Sequence, residues 1–206
     1  MSGRRPEADQ TVAAYEQHAA SYAAGVADAL AGDLAAFLGS FADRVGTGSS
    51  VLEVGSGSGR DARALEGFGM RVRRTDITPA FVDLLRSAGH EADVLDPLHD
   101  DLGGPWDGVW ANAVLLHVDR SDLPVVLARL HDATRAGGTL GLTLKEGDGE
   151  SWSTHGNVPA PRHFTFWCEE PLRVALERSG WSVDSLTSRV AVNGQAWLLA
   201  QCTNLV

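Results

Sequence analysis

The stretch VLEVGSGSGRDA, residues 51–62, places an acid, Glu53, inside an apolar run and then glycines at 55, 57 and 59. Glycines in a turn that leaves a strand let the backbone approach a ligand where any Cβ would clash. Asp76 falls 21 residues after Gly55, at the end of an expected second strand, where a carboxylate accepts both hydroxyls of a ribose. Asp93 is expected at the end of a third strand, suited to accept from an amino group such as adenine N6, and Asn112 ends a fourth. These residues suit the holding of a nucleoside-like ligand along one edge of a sheet. Glu53 needs a partner, because a carboxylate on an apolar strand is costly to bury alone. Two other nucleotide readings are disfavoured. The third glycine of the nicotinamide fingerprint G-x-G-x-x-G would fall on Arg60, and the loop has no lysine for a triphosphate.

Elements must bring these positions together. Residues 9–44 read as Ala-rich helix, with Val12, Tyr15, Ala19 and Tyr22 at helical spacing and a break at Gly25. From Val51 onward strands and helices alternate: strands at 51–54, 71–75, about 91–94, 106–112 and 139–144, with helices over about 58–68, 79–89 and from about 122 to a stop at AGG, 136–138. Thr78 and Pro79 mark a helix start. Residues 145–168 break the alternation as a long irregular insert, and such a segment is more often a lid than an idle connection. A helix over 169–180 and two strands, WSVDSLTS and QAWLLAQC, close the chain. The predicted fold is α/β: a doubly wound, seven-stranded, mainly parallel sheet with a C-terminal antiparallel hairpin and helices on both faces. Residues 1–48 are predicted as an N-terminal helical lid and 49–206 as the main domain, with 145–168 as a substrate lid.

On these motifs the chain resembles class I S-adenosylmethionine-dependent methyltransferases of the small-molecule kind. VLEVGSGSGRDA is similar to that family's first motif, TDITPAF to its second-strand acid motif, and WDGVWANAVLLHV to its fourth-strand motif. LHDATRAGGTLGLTLKEG is similar to its helix-to-fifth-strand passage, with alanine where proline is usual. The match runs over residues 50–200 in the right order. The resemblance implies S-adenosylmethionine as cofactor and S-adenosylhomocysteine as product. It assigns Glu53 to ordering the loop and the cofactor's ammonium end, and Gly55, Ser56 and Gly57 to the methionine portion and ribose. Asp76 would take the ribose hydroxyls with Ile77 against the adenine, and Asp93 and Val94 would read the adenine edge. The backbone of Asn112 and Ala113 would face the ammonium group, while Arg60 and Asp61 would reach the carboxylate end. Tyr22, with Tyr15 second, would close over the cofactor. The plainer alternatives are a turn cap for Asp76, a surface acid for Asp93 and ordinary helix packing for the tyrosines.

Methyl transfer from a sulfonium is a displacement in which alignment and exclusion of water do most of the work. A base is needed only where the acceptor must lose a proton. His117, in LLHV, and His163, in PRHFTFW, are the candidates, since an imidazole titrates near neutrality. For His117 the alternative is a structural or orienting role. In the insert, Glu146, Trp152, Arg162 and Phe164 are the candidate substrate contacts, beside Lys145, Glu150 and Trp167. The alternative for Phe164, Phe166 and Trp167 is packing against the sheet. The histidines share no metal-ligand spacing, so no metal is expected.

Bulk properties narrow the partners. A net charge of −10 with no basic patch beyond RVRR, 71–74, which reads as strand, argues against nucleic acid, as does NAVLLH where base-methylating relatives carry Asn/Asp-Pro-Pro-aromatic. No apolar run approaches about 18 residues, so no membrane span is expected, and MSGRRPEADQ lacks the apolar stretch of a secretory signal. Two distant cysteines fit a reduced, cytoplasmic protein, and a monomer or homodimer is expected, with no residue that chooses between them. The expected function is methyl transfer to a small-molecule acceptor in bacterial specialised metabolism. A protein acceptor, a nicotinamide-dependent oxidoreductase and a non-catalytic cofactor-binding module are the alternatives.

Overall fold

The computed structural model describes residues 5–205, so residues 1–4 of the expected lid and residue 206 lie outside it. α1 (Pro6–Gly25) starts with proline at its first turn, where a missing N–H has no intrahelical partner to lose, and extended Val26 follows it. α2 (Gly32–Val45) comes next. β1 (Ser50–Val54), α3 (Arg60–Gly67), β2 (Arg71–Asp76), α4 (Pro79–Ser87), β3 (Ala92–Val94) and β4 (Trp106–Asn112) then alternate. A 3₁₀ turn, Leu115–His117, leads to α5 (Leu123–Asp132) and β5 (Thr134–Lys145). The chain ends with β6 (Glu150–Ser153), β7 (Arg162–Thr165), α6 (Glu169–Arg178), β8 (Trp181–Val190) and β9 (Ala196–Asn204).

Seven strands form one sheet in the order β3-β2-β1-β4-β5-β9-β8. β1 to β5 are parallel, and β9 lies antiparallel between β5 and β8. This is the doubly wound sheet with a C-terminal hairpin that the strand pattern predicts. The order reverses between β1 and β4, which opens a crevice at their carboxyl ends.

Each face is covered by helices whose apolar stripe matches the strand alternation. On one face α2 sets Leu38, Phe41 and Val45 against Val51, Trp110 and Leu65. That layer is close because two strand positions lack side chains. A Cβ at Gly108 would stand 2.8 Å from Phe41 Cζ, and one at Gly141 2.7 Å from Trp110 Cε3. On the other face α5 and α6 bury Leu123, Leu127, Leu130, Leu172 and Leu176 over Leu52, Val109 and Leu142. Trp181 joins that core, its indole N–H donating to the Leu127 carbonyl at 2.9 Å.

Two boundaries differ from the pattern reading. α5 stops at Asp132, and AGG, 136–138, lies inside β5, whose pairing with β4 begins at Thr134. The insert is not structureless: β6 and β7 pair antiparallel as a separate two-stranded ribbon. All four residues of β7 are buried, because α1 packs over them and Phe164 and Trp167 drop into the main core. Core burial, not local pattern, orders this segment.

With the α2 layer this close, Gly141→Ala overpacks it at a cost of about 1–3 kcal/mol. A thermal scan is expected to show a fall of roughly 2–4 °C for each kcal/mol. An unchanged midpoint would mean that Phe41 and Trp110 have room to move.

Candidate active site

The loop after β1 is shaped by three left-handed glycines, Gly55 (φ 74°), Gly57 (φ 50°) and Gly59 (φ 73°). At two of them space is as decisive as conformation. A Cβ on Gly55 would stand 2.3 Å from Val114 Cγ2, and one on Gly59 2.5 Å from Leu85 Cδ2. Gly55 lets the β4 loop close on the β1 loop, and Gly59 seats the start of α3 beneath α4. Gly57 has free space around it except for Tyr22, 3.7 Å from its would-be Cβ.

Buried polar groups lock the loop to β2. The Ser56 hydroxyl donates to the Glu53 carboxylate and accepts from Thr75 N–H at 3.1 Å. Thr75 Oγ1 donates to the Glu53 carbonyl at 2.7 Å, and Ser56 N–H to the Thr75 carbonyl at 2.8 Å. Asp76 then joins two loops: one oxygen accepts Gly57 N–H and the other Thr78 N–H, each at 2.9 Å. Burial pushes the Asp76 carboxyl upward, against those two N–H groups. It pushes Glu53 further, to about 7, against the Ser56 hydrogen bond.

The end of β4 is held by a second network. Asp61 accepts from Trp110 Nε1 at 3.0 Å and Asn112 Nδ2 at 2.7 Å, and pairs with Arg60 Nε at 2.8 Å. Thr143 Oγ1 donates to Asn112 Oδ1 at 2.6 Å and accepts from Ala113 N–H at 2.9 Å. These contacts hold Ala113 at φ 53°, a conformation that alanine seldom adopts. The Ala113 backbone is thereby presented to the crevice.

A roof closes over this floor. Tyr15 and Tyr22 of α1 form an aromatic cluster with Phe81 of α4, with ring centroids 5.4–5.9 Å apart. Glu16 accepts Ala80 N–H at 3.0 Å, tying α1 to the start of α4. His117 lies beneath. Its Nδ1 is 2.6 Å from the His163 carbonyl, which only accepts, so Nδ1 carries the proton. Nε2 of the neutral ring then accepts the Tyr15 hydroxyl at 3.0 Å. Burial, foremost among the causes, drives the His117 pKa down to about 3, which keeps the ring neutral. His163 is tied to α1 through its N–H to Thr11 Oγ1 at 2.9 Å, with Nε2 3.4 Å from Glu150 and its ring against Trp152.

The resulting cleft collects many of the sequence candidates. Gly55, Gly57, Asp76 and Ile77 line its floor, Asn112 and Ala113 one wall, and Tyr15, Tyr22, His117 and His163 the roof. Glu53, Ser56, Arg60 and Asp61 stand behind the lining as its supports. Arg162 and Phe164 are buried behind His117 and Tyr15. Four candidates lie elsewhere. Asp93 pairs with Arg73 at 2.8 Å, and Val94 is exposed. Glu146 accepts the Ser188 hydroxyl on the β8 side, and Trp152 is exposed against His163. β3 ends at Val94, so the next residues, Leu95 and Asp96, are the ones carried into the cleft. The second acid of DVLD was the available signal for Asp96. Phe81 and Thr11 had none, because α4 and α1 meet the cleft only through tertiary packing. Among the described residues no cluster of His, Cys, Asp and Glu could hold a metal, and no helix is long and apolar enough to cross a membrane.

Comparison with known proteins agrees with this fold. A family model described as a methyltransferase domain matches residues 22–186, and the chain belongs to that family. Its fold is that of class I, Rossmann-like S-adenosylmethionine-dependent methyltransferases. Among solved structures it is similar to the 1,6-didemethyltoxoflavin-N1-methyltransferase of Burkholderia thailandensis, bound to 1,6-didemethyltoxoflavin and S-adenosylhomocysteine. That likeness has 19% identity over 100% of this chain and 94% of the other, with a TM-score of 0.71. The CcbJ methyltransferase of Streptomyces caelestis is 15% identical over 94% of this chain and 98% of its own, with a TM-score of 0.74. The [4+2]-cyclase SpnF is 14% identical over 99% and 98%, also with a TM-score of 0.74, so the fold alone does not choose the reaction. No curated protein matches by sequence.

Two outcomes follow from the buried groups. With its folded pKa raised from 4.5 to about 7, Glu53 stabilises the fold below pH 4.5, and that contribution is lost as pH rises through 7. Relative to Glu53→Gln, the wild type is expected to lose on the order of 3 kcal/mol between those limits by denaturant titration. Parallel curves would place the Glu53 carboxyl in water. In ¹⁵N spectra, His117 is expected to stay a neutral Nδ1–H tautomer down to about pH 4, and an imidazolium at pH 6 would contradict the locked geometry.

Proposed function

We propose that the chain binds S-adenosylmethionine along the floor of the cleft and transfers its methyl to a small-molecule acceptor held under α1 and the β6–β7 ribbon. One observation carries this reading: the buried Asp76 carboxylate bridges the N–H groups of Gly57 and Thr78 while lining the cleft. Each of its oxygens keeps a lone pair for a ribose hydroxyl, and Gly57 leaves room beside it for a ligand's backbone-close approach. The donor set fits the cofactor. Asp96 and Leu95 border the adenine, in place of Asp93 and Val94, and the Ala113 backbone faces the methionine end. Bound S-adenosylmethionine supplies an electrophilic methyl on a sulfonium sulfur.

The chain's own residues align and enclose. Tyr15 and Tyr22, on the 1–48 segment acting as a lid, cover the floor and exclude water. His117 orients Tyr15 and does not take the acceptor's proton, since its ring is held neutral with both nitrogens engaged. His163, paired with Glu150, is the base where the acceptor must lose a proton. The net charge of −10 supports a small acceptor over nucleic acid, and bacterial specialised metabolism is the setting we propose for it.

The test is a thermal scan with S-adenosylhomocysteine and, separately, NADH. At 100 times its dissociation constant a ligand adds about 2.7 kcal/mol, a rise of roughly 5–10 °C here. The rise is expected with S-adenosylhomocysteine alone and is expected to vanish in Asp76→Ala. A rise with NADH only would replace this reading with a nicotinamide enzyme.

Tyr15→Phe removes the hydroxyl that His117 Nε2 accepts and leaves the aromatic roof in place. Turnover of a found acceptor is expected to fall about tenfold or more with S-adenosylhomocysteine affinity little changed. Loss of cofactor affinity with turnover intact would assign Tyr15 to cofactor closure alone.

A further inference from the structure

Resting on the reading of the cleft as a methyl-transfer site, we infer that the acceptor is an anion, its carboxylate or equivalent oxygen group held by the ammonium of Lys145 at the carboxyl end of β5.

Position comes first. Thr143 sends its hydroxyl to Asn112 and Ala113 at the wall of the cleft. Side chains alternate along a strand, so Lys145 rises from the same face as Thr143, one pleat nearer the open edge of the sheet. Its Nζ lies 3.7 Å from the centroid of the Phe164 ring, and that ring also packs on His117, a cleft residue, at 4.7 Å. Lys145 therefore stands one side chain behind the lining of the cleft, across Phe164 from His117.

Charge comes second. Lys145 is the chain's single lysine, half-buried, and among the described residues no hydrogen bond or carboxylate meets its ammonium. Burial and the nearby Arg162 both act against its charge. Arg162 does not supply the missing anion and adds a second cation. It is buried, donates to the His155 and Val158 carbonyls, lies 3.5 Å from the Tyr15 hydroxyl, and leaves Nε without a partner. In a chain with 27 acids, a buried arginine and a half-buried lysine that meet no carboxylate within 4 Å among the described residues are an unusual arrangement. The buried acids Glu53, Asp61 and Asp76 lie along β1, α3 and β2, and Glu150 is turned to His163. The Lys145 and Arg162 pair, behind the His117 end of the cleft, is thus set apart from the buried acids beneath the glycine loop. Phe164 steadies the ammonium through its ring face, and an anion is the partner that the Lys145 ammonium lacks.

The experiment is a thermal-shift titration of the full chain saturated with S-adenosylhomocysteine. The probes are carboxylates paired with their neutral amides: benzoate with benzamide, phenylacetate with phenylacetamide, and indole-3-acetate with its amide. At least one acid is expected to bind about tenfold or more tightly than its amide. Lys145→Met is expected to erase that preference while keeping the S-adenosylhomocysteine shift, and Lys145→Arg to restore it. Equal shifts for acids and amides, no shift with any acid, or a preference that survives Lys145→Met would overturn the inference. Absence of the S-adenosylhomocysteine shift in the wild type would instead bring down the underlying functional reading, and the acceptor site with it.

Discussion

The site depends on one constraint: several carboxylates are buried at one sheet edge, and most lack a cation. Of Glu53, Asp61 and Asp76, only Asp61 has an arginine directly against it. Glu53 is satisfied by a serine hydroxyl and Asp76 by two main-chain N–H groups. Buried carboxylates are tolerated when hydrogen bonds replace the lost water, and here those donors come from the loops that form the cleft floor. The glycines are part of the same solution. Left-handed backbone at Gly55 and Gly57 turns the loop back toward β2, where Ser56 and Gly57 meet Thr75 and Asp76. The acids and the loop shape cannot be separated.

The opposite end of the cleft is organised by α1. This helix reaches α4 through Glu16 and the ring cluster, β7 through Thr11, and His117 through Tyr15. Its contacts touch both the glycine-loop side of the cleft and the insert, so α1 couples the two halves of the cleft. A helix held by a few polar ties and ring edges, and not by a broad apolar seam, is the kind of element that opens at modest cost. Its own sequence agrees, since only Thr11, Ala14 and Ala19 are buried along it.

At His117, position in a motif and local surroundings point in different directions. It stands just after β4, where the cleft opens, and an imidazole there invites assignment as a base. Its surroundings instead fix one tautomer and one hydrogen bond to Tyr15. A neutral ring whose charging is opposed by burial and by two nearby cations is a poor proton acceptor but a good orienting group.

The sequence by itself determined the alternation of strands and helices, the glycine turn after β1, and the acid that closes β2. Those features rest on neighbours within a few residues: apolar runs, turn glycines and helix-starting prolines act locally. Tertiary structure alone decided the rest. Whether Asp93 or Asp96 faces the cleft depends on where β3 ends against β2, with Thr75 opposite Asp93 and Asp76 opposite Val94. A shift of one residue turns every side chain to the other face, and local pattern in a three-residue strand is too short to set that register. The ordering of the insert and the engagement of His117 have the same origin. Their partners lie far along the chain, with Tyr15 102 residues from His117 and Thr11 152 from His163. Contacts at such separations exist only once the sheet has brought distant segments to one edge.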